Sequence, residues 1–333
     1  MTHVGWGKII LLGEHAVVYG YPALAAALDR GVTIAPVPTP AGGPLRLDVP
    51  AWNLSTSANA ADAVVGDAHI DSSGPAGTRS VAEGRRGGAE PAHPIAVALA
   101  AIADHLEMGR PAVSLVGDAQ IPPGAGLGSS AALAVAVARA LLAYAKRPLD
   151  PALLASAAGA SETVVHGRAS GVDVALAIAG GLGVFRRASG LRPLSCQPLR
   201  VLVGSSGAPR STAAMIARVA SATSEKSDDA RLKELGSLAD GGTAALLGGD
   251  LPGLGAAMTR AHTLLAELGV STPQLDSLCD AARATGAFGA KLTGAGGGGA
   301  VIAIAPREAE QAILTEWKHA GVTGFVATVR GNA

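Results

Sequence analysis

Residues 121–135 read IPPGAGLGSSAALAV, and they restrict the fold more than any other stretch of the chain. Ahead of them AVSLVGDAQI reads as a strand. Behind them Ser129 to Tyr144 is rich in Ala and Leu and free of Pro and Gly, as a long helix requires. A strand, a glycine turn and a helix in direct succession present unencumbered backbone amides at a helix N-terminus, where the helix dipole favours an anion. Gly124, Gly126 and Gly128 are spaced G-x-G-x-G with no following Lys, so this is neither a Walker loop nor a dinucleotide fingerprint. The spacing predicts a phosphate cradle whose cation comes from elsewhere in the chain.

Three further stretches could join it in a site. In GKIILLGEHAVVYG, Lys8 precedes the short apolar run Ile9 to Leu12, while Glu14 and His15 follow it, so three polar groups bracket one strand. In SETVVHGRASGVDVALA, Glu162 sits on an expected helix from Pro151 to His166, and Asp173 follows the Ser170-Gly171 turn. If both carboxylates face the glycine loop, one can help bind Mg²⁺ and the other can sit beside a substrate hydroxyl. KLTGAGGGG, residues 291–299, places consecutive glycines between two strand-like segments, as a turn or a close backbone approach would need.

The remaining pattern predicts an α/β protein of two parts. Strands are expected at Ile9–Leu12 and LRLDV, and a short helix or turn followed by a strand in ALAAALDRGVTIAPV. Residues 53–90 are rich in Ser, Gly, Ala, Asp and Arg and are expected to form a mobile surface loop. A helix is expected from Pro94 to Leu106, and SGVDVALAIAGGLGVF is expected to pass through a turn to small apolar residues and a strand. LRVLVGSSG restarts the pattern, which puts a domain boundary near residue 190 and divides the chain into 1–190 and 191–333. The second half is mainly helical, with Thr272-Pro273 as N-cap and first residue of a helix through Ala284.

Charge and cysteine content exclude several classes. Lys plus Arg and Asp plus Glu number 26 each, which argues against nucleic acid as a partner. Cys196 and Cys279 are isolated, so neither a zinc site nor a disulfide is indicated. No apolar run approaches the roughly 18 residues of a spanning helix, and Ile9 to Leu12 is too short for a signal peptide; a cytoplasmic protein without a membrane partner is expected.

GKIILLGEHAVVYG, PPGAGLGSSAA, HGRASGVD and KLTGAGGGG together resemble the GHMP kinase superfamily, and within it the mevalonate kinases, in the family's order and over almost the whole chain. GSSGAPRSTAAM and LGVSTPQLDSLCDAA are similar to the same family. The resemblance implies a ribosomal-protein-S5-like N-terminal half, a ferredoxin-like C-terminal half and a site in the cleft between them. It implies phosphoryl transfer from ATP to the 5-hydroxyl of mevalonate, with Mg²⁺. Pro123, Gly124, Ala125, Gly126, Leu127, Gly128, Ser129 and Ser130 would wrap the ATP phosphates, and Ser130 and Glu162 would ligate the metal. Asp173 would be the catalytic base with Lys8 beside it. Lys8, Glu14, His15, Asp173, Arg210 and Thr212 would line the mevalonate side, and Gly294, Ala295, Gly296, Gly297 and Gly298 would close over the first loop. Relatives are often homodimers.

Two departures stand out. Arg168-Ala169 replaces the Asn-Pro of many relatives, and residues 53–90 match no family segment, which leaves the adenine pocket undefined. Phosphomevalonate kinase is a rival that needs further basic residues for the substrate phosphate, and Arg168 or Arg210 could provide one. Galactokinases continue differently after GEH, and homoserine kinases lack the Lys–Asp pair. A silent ligand sensor of the same fold predicts loss of Lys8, Glu162 or Asp173, and all three are present.

Overall fold

The computed structural model describes residues 1–58, 93–166, 171–208, 211–224 and 226–331. Its first half is built on β2 (Ala23–Pro38), a strand of 16 residues. Along one edge β2 pairs antiparallel with β1 (His3–Leu12). Along the other it pairs with β5 (Val113–Ala119) through residues 32–38 and with β6 (Leu182–Arg186) through residues 23–26. β3 (Leu45–Val49) lies parallel to β5, β4 (Leu54–Ala58) pairs with β3, and β7 (Gly190–Pro193) pairs with β6, completing a seven-stranded sheet.

The strand β2 replaces the helix or turn expected at its start. Ala23, Ala25 and Ala27 pack with Ile10, Val172, Leu176 and Phe185 on one face, whereas Leu24, Ala26 and Leu28 enter the main core on the other. A strand buried on both faces reads as a continuous apolar run, and that pattern does not distinguish it from a helix. The segment expected to be a loop from residue 53 onward also begins as the strand β4; residues 59–92 lie outside the described residues.

Helices α1 (Pro94–His105), α2 (Ser129–Tyr144) and α3 (Pro151–His166) keep the bounds that their sequence implies to within a residue. α4 (Val172–Ala179) forms where only a turn and small apolar residues were expected, started by Gly171 in the left-handed region and anchored by Val172, Val174, Leu176 and Ala177.

The second sheet holds β8 (Leu199–Ser205), β9 (Gly289–Thr293), β10 (Ala300–Ile304) and β11 (Thr323–Val329) in the order β11-β8-β10-β9, every neighbour antiparallel. Between β8 and β9 run α5 (Thr212–Ala222), α6 (Ala230–Leu247), α7 (Leu251–Glu267) and α8 (Pro273–Ala284); α9 (Arg307–His319) joins β10 to β11. This strand order is the ferredoxin-like arrangement that the resemblance implies. One hydrophobic cluster runs through both halves. Leu12 crosses from β1 to Gly242 of α6, where an added Cβ would lie 2.1 Å from its Cδ1 and would have to push that buried side chain aside. No helix among the described residues is long and apolar enough to cross a membrane.

Candidate active site

Because β1 pairs with β2 along one edge only, its other edge offers unpaired backbone groups, and both glycine loops attach there. The Lys8 amide donates to the Leu127 carbonyl at 2.8 Å. The Ile10 amide donates to Thr293 Oγ1 at 2.9 Å, and that hydroxyl donates to the Ile10 carbonyl at 3.1 Å. The loops from the two halves therefore meet the same strand two residues apart.

In the first loop Gly124, Gly126 and Gly128 all have positive φ, at 71°, 81° and 73°. Each bends the chain through a region that L side chains rarely adopt. Pro123 and Gly124 are exposed, whereas Ala125, Gly126, Leu127 and Gly128 are buried, so the loop dips toward β1 before α2 begins. Gly128 caps α2, and a Cβ there would lie 2.8 Å from Lys8 Cγ. The lysine missing from the loop thus lies directly beneath it, carried by β1.

Lys8 Nζ lies 3.3 Å from Asp173 Oδ1. The Lys8 side chain is only 4% exposed and that of Asp173 32%, so the carboxylate is the partner a ligand can reach. Asp173 occupies the first turn of α4, where the helix dipole favours negative charge. Ser130, half-buried in the first turn of α2, donates from Oγ to Glu162 Oε1 at 2.6 Å. Burial pushes the Glu162 carboxyl up to about 7; the Asp173 charge adds to the rise, while the Ser130 hydrogen bond and Lys8 oppose it. These two oxygens are hard donors of the kind that Mg²⁺ takes. Among the described residues no three His, Cys, Asp or Glu gather to hold a metal, so an ion here would draw its other ligands from phosphate and water.

β1 ends at Leu12, Gly13 turns the chain, and His15 follows at φ 59°, an uncommon conformation for a residue with a side chain. Its Nε2 lies 2.8 Å from the Ala295 carbonyl, which ties the turn to the second glycine loop. Gly294, Gly296, Gly297, Gly298 and Gly299 all have positive φ, and the Gly297 amide donates to the Val270 carbonyl at 2.8 Å. Thr212 is half-buried as the first residue of α5, whose Met215 packs on Gly297. Arg168 and Arg210 lie outside the described residues.

Glu14 is placed differently from a residue that lines an open cleft. Its side chain is 1% exposed and is bound to Lys291 Nζ of β9, itself fully buried. Lys291 and Thr293 were given no role from sequence, although both stand in KLTGAGGGG just ahead of the glycines. An apolar crevice lined by Leu47, Ile95, Leu99 and Leu133 opens beside Ser130 and Ser161.

Two family models match the chain: the GHMP kinase N-terminal domain over residues 94–181 and the GHMP kinase C-terminal domain over residues 243–323. The mevalonate kinase of Thermococcus sibiricus is 33% identical over 329 residues, covering 97% of this chain and 94% of that protein. The crystal structure of L. major mevalonate kinase in complex with R-mevalonate superposes with a TM-score of 0.77 at 26% identity, covering 100% of this chain and 97% of that one. The Methanococcus jannaschii mevalonate kinase gives a TM-score of 0.78 at 26% identity, covering 99% and 98%.

Proposed function

The chain belongs to the GHMP kinase family, and from that premise, with its full-length likeness to mevalonate kinases, we infer that it is a mevalonate kinase, transferring the γ-phosphoryl group of ATP to the 5-hydroxyl of (R)-mevalonate. In the site itself the observation that carries this reading is the Lys8–Asp173 pair, set directly beneath a glycine loop that opens a helix.

The substrate hydroxyl oxygen forms the new bond to phosphorus as the bond to the β-phosphate oxygen breaks and ADP leaves. Such transfers are largely dissociative, so positioning and charge neutralisation supply most of the acceleration. Asp173 accepts the hydroxyl proton, and Lys8 faces the oxygen on which negative charge develops. The amides of residues 124–130 receive the phosphates. Ser130 and Glu162 would hold Mg²⁺, which when bound would offset phosphate charge. The apolar crevice beside Ser130 would take the adenosine end, and His15 and Thr212 would face mevalonate.

ADP release measured with mevalonate, phosphomevalonate, galactose and homoserine tests this reading, and turnover of mevalonate is the expected result. Turnover of phosphomevalonate alone would transfer the assignment to that kinase. Silence with all four alongside ATP binding would indicate a sensor. A homodimer is expected, and mass measurement in solution tests it.

A further inference from the structure

The first glycine loop is held at its exit by the bond from the Lys8 amide to the Leu127 carbonyl. Its entry is built differently. The Gln120 amide donates to the Gly31 carbonyl at 2.9 Å, but Pro122 and Pro123 follow Ile121 and have no amide to donate. Carbonyls are the handles that remain there. The Ile121 carbonyl is taken by a side chain 69 residues away, since Trp52 Nε1 donates to it at 2.9 Å. Among the described residues no hydrogen bond holds 122–126, which lie between this bond and the one at Leu127.

Trp52 is presented by a fixed turn. Pro50 opens the turn Pro50–Trp52 between β3 and β4, and Asn53 closes it in the left-handed region at φ 51°, its amide donating to the Pro50 carbonyl at 2.9 Å. The ring is half-buried and packs against the main core. Filling the core requires the ring alone. The indole has one donor and no acceptor, and that donor is spent on the carbonyl that precedes the two prolines.

Both ends of the loop come to rest on one residue of β1. A Cβ added at Gly7 would meet Ile121 Cδ1 at 3.1 Å and the Leu127 carbonyl at 3.2 Å. Lys8 is the next residue along the strand. The Trp52 bond therefore fixes the loop at the point where it leaves the buried Ile121, ahead of the exposed Pro122, Pro123 and Gly124.

We propose that Trp52 is a positioning residue for nucleotide binding that acts through Ile121: its N–H fixes the entry of the loop, so that the amides of residues 124–130 stand ready for the phosphates. Donors ordered in advance bind more tightly, because the cost of ordering them is met before the ligand arrives. On this account Trp52 touches neither the base nor the acceptor alcohol. The proposal deepens the kinase reading and rests on its phosphate loop, not on which alcohol is phosphorylated.

Equilibrium binding of ATP and of inorganic triphosphate, each with Mg²⁺, tests this without an acceptor. Trp52→Phe keeps a ring in the core and removes the donor. It should weaken both ligands by about threefold to tenfold, the scale of one hydrogen bond, while the KM for the acceptor alcohol changes by less than about twofold. In the unaltered protein, labelled with ¹⁵N at the indoles, the Trp52 N–H resonance should shift when triphosphate is added and stay in place with adenosine. Trp317, whose buried indole donates to the Leu278 carbonyl in the second half, serves as the unmoved reference.

Lower thermal stability of Trp52→Phe with unchanged affinity for both ligands would make the bond a purely structural one and overturn the proposal. A shift with adenosine alone, or a loss of affinity for ATP with none for triphosphate, would overturn it by making Trp52 a contact of the base. If Trp52→Phe does not fold, the indole resonance decides alone, assigned by elimination with Trp6→Phe, and no shift with triphosphate would overturn the proposal. An unaltered protein that binds ATP but phosphorylates a different alcohol overturns the mevalonate reading and leaves the role of Trp52 standing. One that binds neither ATP nor triphosphate overturns both.

Discussion

The Asp173 carboxylate keeps about a third of its surface open while Lys8 is enclosed, so loss of the carboxylate should spare the fold and cost turnover. Asp173→Asn is expected to bind ATP and to lose kcat by roughly 10² to 10⁴, the range for a positioned acid or base; single-turnover kinetics would read it directly. Glu162 carries a pH dependence instead. Its folded value of about 7 lies above the ordinary carboxylate range, so its stabilising, protonated form is complete below the unfolded value near 4.5 and is lost as pH rises through about 7. Without ligands, Glu162→Gln should therefore match the unaltered protein near pH 4.5 and exceed it at pH 8 by on the order of 2–3 kcal/mol. Denaturant melts at the two pH values check this, and equal slopes with pH would count against it. Lys8, Ser130, Glu162 and Asp173 were singled out through the motifs that carry the family resemblance, and the structure brings Lys8 to Asp173 and Ser130 to Glu162. Lys291 was not singled out, since a lysine in a strand ordinarily faces solvent and its partner Glu14 lies 277 residues away.

Among the elements, α2 and its loop were legible throughout, because proline, glycine and a run of good helix formers leave one solution. β2 and α4 were not: their small apolar residues are buried on more than one side, and burial of that kind erases the periodicity from which elements are inferred. The glycines of the first loop should separate by what lies near them. At Gly124 no atom lies within 4 Å of an added Cβ, whereas at Gly128 it would collide with Lys8. Both have positive φ, so alanine at either should cost about 1 kcal/mol or more of backbone strain. Gly128→Ala should in addition displace Lys8 and depress kcat, while Gly124→Ala should act mainly on the KM for ATP. Steady-state kinetics on the pair, with melts to match the strain, test the distinction.

Across the molecule the two halves are joined by polar contacts as well as by a shared apolar core, and Thr293 makes two of those contacts with one hydroxyl. Thr293→Val keeps the shape but leaves the Ile10 amide unsatisfied, and should cost about 1–3 kcal/mol in denaturant unfolding. A change within error would mean that the backbone shifts to satisfy itself. The sequence implied a two-part fold with a cleft but not this seam, because its partners are backbone atoms, which leave no mark on residue choice.

The outer edge of β1 has a further significance for handling the protein. An unpaired strand edge is a template for another chain, and natural proteins keep such edges covered or blunted. Here the cover at Lys8 and Ile10 comes from Leu127 of the first glycine loop and from Thr293, the last residue of β9 before the second. Any variant or condition that loosens those loops bares Ile9, Ile10, Leu11 and Leu12 along a free edge. Loss of activity and self-association should then arrive together, and nucleotide should protect against both.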